Sequence, residues 1–274
     1  MLAARRIIHV KTNEVVTIAP LGDIQWTGRE DDVAVDLFAE HLTRCLDLNA
    51  YYLGLGDYID FMSPSNRTRL RNADLYDNAQ KCIMDKARAL TDELYDDFFI
   101  DTTGQWLGMV SGHHYCQLEG TETTDTYLAK KLKSPHTEAL LYFQLVIQHE
   151  HRQGELNFWV HHTSGGGTAG AIENRLRKQF GHWPVDFLLA GHTTSRLAKP
   201  IPRMDVYWTD GKPKIVDRPV WLISCGGWSK AYRLGETDYV ERAAMAPVSL
   251  GAPLIFITPH WEGQHFVPTI RVEA

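Results

Sequence analysis

What most constrains this chain is a layout that recurs five times: a short apolar run, in four of the five a small residue, then a side chain able to hold a metal ion. The blocks are Ile18-Ala19-Pro20-Leu21-Gly22-Asp23-Ile24-Gln25, Leu53-Gly54-Leu55-Gly56-Asp57-Tyr58-Ile59-Asp60, Met109-Val110-Ser111-Gly112-His113-His114-Tyr115, Phe158-Trp159-Val160-His161-His162 and Leu188-Leu189-Ala190-Gly191-His192-Thr193-Thr194. Any one of them alone reads as an ordinary turn after a strand. Five in order, each at the end of an expected strand, are hard to build from turns. Neighbouring parallel strands deliver the residues past their carboxyl ends to one edge of a sheet. A glycine before the ligand lets the backbone bend and approach closely. Asp and His suit Mn, Fe and Zn, and a pair of divalent ions ~3.5–4 Å apart needs a bridging carboxylate with several nitrogen or oxygen donors around it.

The rest of the chain supports such a sheet. Strands are expected at Val15–Ala19, Tyr51–Leu55, Trp106–Val110, Tyr142–Gln148, Leu156–Val160, Phe187–Ala190, Val220–Ser224, Leu254–Thr258 and Phe266–Val272. Helical spacing of apolar residues marks Asp32–Leu48, Asp74–Phe98, Thr124–Leu132 and Ala171–Phe180. Strand–loop–helix alternation of this kind implies an α/β protein with helices on the faces of its sheet. From about Ile201 onward the pattern is more purely β. The polar, helical stretch from Phe61 to Gly104 reads as an insertion over the site within a single domain spanning 1–274, because nothing linker-like flanks it.

Composition sets limits. With 44% hydrophobic and 23% charged residues the chain can bury a core, and no apolar run is long enough to span a bilayer. The N-terminus lacks a signal peptide's apolar stretch, which reads as a cytoplasmic protein. A net charge of −6 argues against broad non-specific nucleic-acid binding, though a local basic groove stays open. Cys45, Cys82, Cys116 and Cys225 form no CxxC pair and read as reduced, mostly buried thiols.

The five blocks resemble, in order, the pattern of the calcineurin-like metallophosphoesterases: Asp-x-His, Gly-Asp-x-x-Asp, Gly-Asn-His-Glu/Asp, His, and Gly-His-x-His. The resemblance runs from Asp23 to Thr194. It is strongest to a bacterial and bacteriophage-type subgroup, through Gly112-His113-His114-Tyr115 and the glycine run after His161-His162. It implies a four-layer αββα sandwich, two stacked mixed sheets flanked by helices, with the metal at the loop edge. It also implies roles. Asp57 is the bridging carboxylate and Asp23 a ligand of the first metal. His113, one of His161 or His162, and His192 serve the second. His114 is the general acid or phosphate contact. Gln25 and Thr194 stand where the family has first-metal histidines, so one metal is expected to be held tightly and the other weakly.

The activity implied is hydrolysis of a phosphoester, a small molecule or nucleic acid, by a metal-activated water. The alternatives are a catalytically degenerate metal-binding scaffold or interaction protein, and a subunit of a nuclease complex using a groove near Arg67–Arg71. Asp60 is expected to orient a ligand. Asn66, Arg67, Arg69 and Arg71 are candidate phosphate contacts. Trp26, Tyr115 and Trp183 are candidate pocket walls, Gly165–Gly170 an anion cradle or hinge, and Cys225-Gly226-Gly227-Trp228 a further strand end facing the same edge.

Overall fold

The structure is a computed structural model and describes residues 1–274 apart from 13, 74–75, 165–168, 194, 210 and 233–246. In chain order the strands are β1 (Leu2–His9), β2 (Val16–Leu21), β3 (Tyr51–Gly54), β4 (Trp106–Val110), β5 (His136–Thr137), β6 (Leu140–His149), β7 (Arg152–His161), β8 (Phe187–Ala190), β9 (Arg196–Ile201), β10 (Met204–Thr209), β11 (Lys212–Asp217), β12 (Val220–Cys225), β13 (Leu254–Thr258), β14 (Trp261–Glu262), β15 (His265–Phe266) and β16 (Thr269–Glu273). The helices are α1 (Val35–Asp47), α2 (Pro64–Asn72), α3 (Asp77–Leu94), α4 (Thr124–Lys131) and α5 (Ala169–Gln179).

Two six-stranded sheets carry the fold, ordered β1-β6-β7-β8-β12-β9 and β16-β13-β2-β3-β4-β5. Both are mixed. The feature that positions the site is a run of neighbouring parallel strands in each: β2, β3 and β4 in one, β7, β8 and β12 in the other. Ile18, Leu53 and Leu107 of one sheet meet Leu145, Phe158 and Phe187 of the other in a shared core. A second cluster packs Phe38, Leu42 and Cys45 of α1, Leu90 and Leu94 of α3, and Leu128 of α4 onto the outer face of the β2–β4 sheet. A third sets Ile172 and Leu176 of α5 against Leu188 and Leu222. The result is four layers, helix, sheet, sheet, helix, as the resemblance implies. In α1 the buried residues Phe38, Leu42 and Cys45 fall at the spacing of one helical face.

The segment 61–104 has two parts. The first, α2, begins at the N-cap Ser63, whose side chain accepts the Asn66 N–H. The second, α3, buries Ala87, Leu90, Thr91 and Leu94 and runs into a π-helical turn at Tyr95–Phe99. There Phe99 is fully buried, edge-on to Trp106 of β4 at 5.2 Å. The strand expected at Phe266–Val272 is divided into β15 and β16, because Pro268 has no N–H to donate to a ladder. Three of the cysteines are buried and Cys82 is exposed; all four are free. No described helix is long and apolar enough to cross a membrane.

Candidate metal centre

Three of the turns that follow the parallel strands are built alike. Asp23, Asp57 and His192 all sit in the left-handed region, at φ 50°, 53° and 71°. Asp and His tolerate that region better than most residues, and outliers of this kind concentrate at functional sites. The turns are stitched to one another. The Asp23 N–H donates to the Gly56 carbonyl at 2.9 Å, and the Gln25 N–H to that of Asp57 at 2.9 Å. The His192 N–H donates to Asp23 Oδ2 at 2.9 Å. Asp57 Oδ1 accepts from the His113 N–H and, at 3.0 Å, from the His114 N–H. Glycine is required where the turns touch: a Cβ on Gly112 would lie 2.0 Å from the Asp57 nitrogen, and one on Gly191 2.3 Å from the Leu55 oxygen.

These turns bring Asp23, Asp57, His113, His162 and His192 together. One ligand atom each from His113, His162 and His192 lies within 4.8 Å of the others, and the same holds for Asp23, Asp57 and His162. Asp23 and Asp57 are each 2% exposed and His162 3%. The His162 Nδ1–H donates to the Leu55 carbonyl at 2.6 Å, which directs Nε2 into the site. Nε2 stands 3.1 Å from Asp57 Oδ2, yet the alignment is not that of a hydrogen bond and the atom has no other partner among the described residues. Asp57 is held below the usual carboxylate range: burial raises it but is outweighed by His162, with His114 adding to the effect. Burial would lower His162, and its pairing with Asp57 instead lifts it to about 9. Burial pushes Asp23 up to about 7, against the pull of His162. Burial first and His162 second push His113 down to about 4, and the same causes lower His192.

The donor set fits a divalent ion. Two buried carboxylates stand beside a ring nitrogen without a hydrogen-bonding partner. His113 Nδ1 and His192 Nδ1 face each other at 3.1 Å. Two nitrogens on one tetrahedral ion at 2.0–2.1 Å are about 3.3 Å apart, close to that spacing. Neutral imidazoles, which the lowered values of His113 and His192 favour, are the ligating form.

The other expected site residues fall in varied places. His161, the last residue of β7, turns away: its Nδ1 accepts the Thr163 N–H at 2.6 Å and its ring stacks on Trp159. Gln25 Oε1 accepts from the Ser229 hydroxyl at 2.7 Å. Thr194 and residues 165–168 of the glycine run lie outside the described residues. His114 Nδ1 is 2.7 Å from Asp60 Oδ1, while its Nε2 lies 3.9 Å from Asp57 Oδ2. The Asp60 hydrogen bond is the main cause that raises His114. Arg67 is not a free phosphate contact. Its guanidinium donates to the carbonyls of Met62, His113 and Tyr115 at 2.7, 2.5 and 3.0 Å and stacks on the Tyr115 ring at 4.0 Å. Asn66 and Arg69 are exposed, and the Arg71 side chain lies outside what the structure describes. Trp26 is a core residue, edge-on to Phe98, and Trp183 packs on Tyr142. Cys225 ends β12 at the site, its thiol donating to Asp23 Oδ2 at 3.4 Å.

One buried acid went unread in the sequence. Asp125, 2% exposed in the first turn of α4, accepts the Gly112 N–H at 2.9 Å and so fixes the turn that carries His113. Burial pushes it up to about 7. A Thr-Asp pair opening a helix looks like a plain N-terminal signal, and only the topology brings it to Gly112.

The chain matches no protein-family model and no curated protein. Among solved structures it is similar to vacuolar protein sorting 29 from Cryptosporidium parvum, at 13% identity over 95% of this chain and 98% of that one, with a TM-score of 0.34. It is also similar to a single mutant of the protein from Entamoeba histolytica, at 13% identity over 94% and 100%, with the same score. A likeness at this level describes loose spatial overlap and carries nothing about the chemistry of the site.

Proposed function

We propose that this chain is a metal-dependent phosphoester hydrolase of the metallophosphoesterase type. The observation that carries this reading is the meeting of Asp23, Asp57, His113, His162 and His192 at the joined carboxyl ends of two sheets, beside the His114–Asp60 pair. His113, His162 and His192 would hold one ion. Asp57 and Asp23, with His162 within reach of both, would form the donor set of a second position. A divalent ion there would acidify water and neutralise charge that builds on phosphoryl oxygens.

The protein's own groups do the rest. Asp60 binds His114 Nδ1 and favours the protonated ring, so Nε2–H points toward Asp57 and the site. That proton is placed to pass to the leaving oxygen of a phosphoester. Arg67, spent on three backbone carbonyls, holds the loop from which His114 projects. Its engagement takes one of the three arginines away from a basic nucleic-acid groove near Arg67–Arg71. With a net charge of −6, a small phosphoester is the favoured substrate class.

The test combines metal counting with turnover of a chromogenic bis-aryl phosphodiester in Mn. The folded wild type is expected to bind metal and turn over. Asp57→Asn should lose both, while His114→Gln should keep the metal and lose about 10²-fold or more in kcat. Folded, metal-loaded protein with no turnover of any phosphoester ends the enzymatic reading and leaves a metal-binding scaffold.

A further inference from the structure

Away from the metal centre, α1, the start of β9, the residues leading into β13 and the end of β16 line a half-open cavity of about 250 Å³, whose walls include Leu37, His41, Arg44, Arg196, Trp228 and Glu273. None of the five convergent metal-centre residues lines it. Its hydrogen-bonding inventory is lopsided. Among the described residues of the wall the one acidic side chain, Glu273, is already bound by Arg44 and by Arg271. The Arg196 guanidinium has neither a hydrogen-bond acceptor nor an ion-pair partner among the described residues. His41 Nε2 and Trp228 Nε1 are also buried without a partner, their rings 5.3 Å apart. Buried polar groups such as His41 Nε2 and Trp228 Nε1 are normally satisfied, and the half-buried arginine beside them presents five donors and no acceptor.

A second observation concerns how Arg196 is held. Its side chain threads between two glycines in left-handed conformations, Gly226 at φ +75° and Gly251 at φ +117°. A Cβ on Gly226 would lie 2.3 Å from Arg196 Cγ, and one on Gly251 3.3 Å from its Nη1. Packing of the stem, with no counter-charge among the described residues, therefore fixes where the fork points. That is the preorganisation expected of a group awaiting a ligand. Burial, and after it Arg44 and Arg196, push His41 down to about 4, so its ring is neutral at neutral pH and does not add a third cation.

We propose that this cavity is a ligand site separate from the metal centre, taking an oxyanion group of a small molecule, a carboxylate or a phosphate, on the fork of Arg196 against the His41–Trp228 wall. The planar guanidinium pairs with two oxygens of such a group at once. The volume suits a small molecule and no polymer.

The test is NMR titration of EDTA-treated protein with inorganic phosphate and, separately, with succinate, at constant ionic strength in chloride. One of the two should give saturable shifts of the Trp228 indole N–H and the Arg196 Nε–H. Saturation by phosphate alone assigns a phosphoryl group, and saturation by succinate alone a carboxylate. Arg196→Gln should weaken the binding at least about tenfold. Arg196→Lys, which keeps the charge and loses the fork, should fall between. Asp57→Asn should bind as the wild type does, separating this site from the metal centre. The proposal is overturned if neither probe shifts those resonances up to tens of millimolar. It is equally overturned if both Arg196 variants, shown folded by their melting points, bind as tightly as the wild type.

Discussion

At the scale of single residues, His41 makes a prediction that needs no activity. Its folded value is pushed down to about 4, chiefly by burial and then by Arg44 and Arg196, against an ordinary value near 6.5. Between those values the unfolded chain binds a proton that the folded one refuses. Stability contributed by the neutral ring is therefore complete above about pH 6.5 and is lost as the pH falls toward 4, by at most about 3 kcal/mol. His41→Phe should flatten that part of the curve of denaturation midpoint against pH; an unchanged slope would show that the ring is not held neutral. The same scale shows what a sequence can and cannot disclose. The choice between His161 and His162 was open to a period-2 argument: Phe158 and Val160 face the other sheet while Trp159 packs under α5, so His162 shares the inward parity. Asp125 offered no such signal, because its partner Gly112 belongs to a different strand–helix unit.

At the scale of elements, the readable part was the strand end. Apolar runs closed by glycine gave β2, β3, β4 and β8 with small errors at their bounds, because a doubly covered parallel strand is apolar along its whole length, whereas β7 was expected only over its apolar second half, its first half being polar. The exposed hairpin β10–β11 and the charged edge strand β9 lacked that signature, and none of the three was expected. The interlocking of the turns explains why glycine stands in them. Gly112→Ala sets a carbon 2.0 Å from the Asp57 nitrogen and 2.1 Å from Asp57 Oδ1, which no side-chain rotation can relieve. It should cost about 2–3 kcal/mol or more and lower the metal stoichiometry. Gly170→Ala, in α5 with no described atom within 4 Å, should be neutral or stabilising by about 0.5–1 kcal/mol. Equal melting points for the two variants would show that the turns are looser than their contacts imply.

At the scale of the whole molecule, the question is how much of 61–104 belongs to the domain. A polar, helical stretch between two sheet strands reads as an addition laid over the site, since its charge hides the apolar positions. The contacts divide it. Most of α2 is exposed and meets the rest through Arg67, whereas Leu90, Leu94 and Phe99 fill the layer between α1 and the β2–β4 sheet. Phe99 contacts Phe38 of α1 at 5.9 Å and Trp106 of β4 at 5.2 Å, so it joins three elements that are distant in sequence. Truncating it leaves a cavity no neighbour can close, and Phe99→Ala should cost about 3–5 kcal/mol. For a domain of this size that lowers the thermal midpoint by roughly 10 °C. Replacing 64–72 by a short flexible loop should move the midpoint by only a few degrees while weakening the hold on His114 that Arg67 supplies, so turnover falls and melting does not. Should Phe99→Ala melt with the wild type, α3 would be a covering and the sheet pair would stand without it; a collapse of the loop replacement to the level of Phe99→Ala would instead make α2 part of the core.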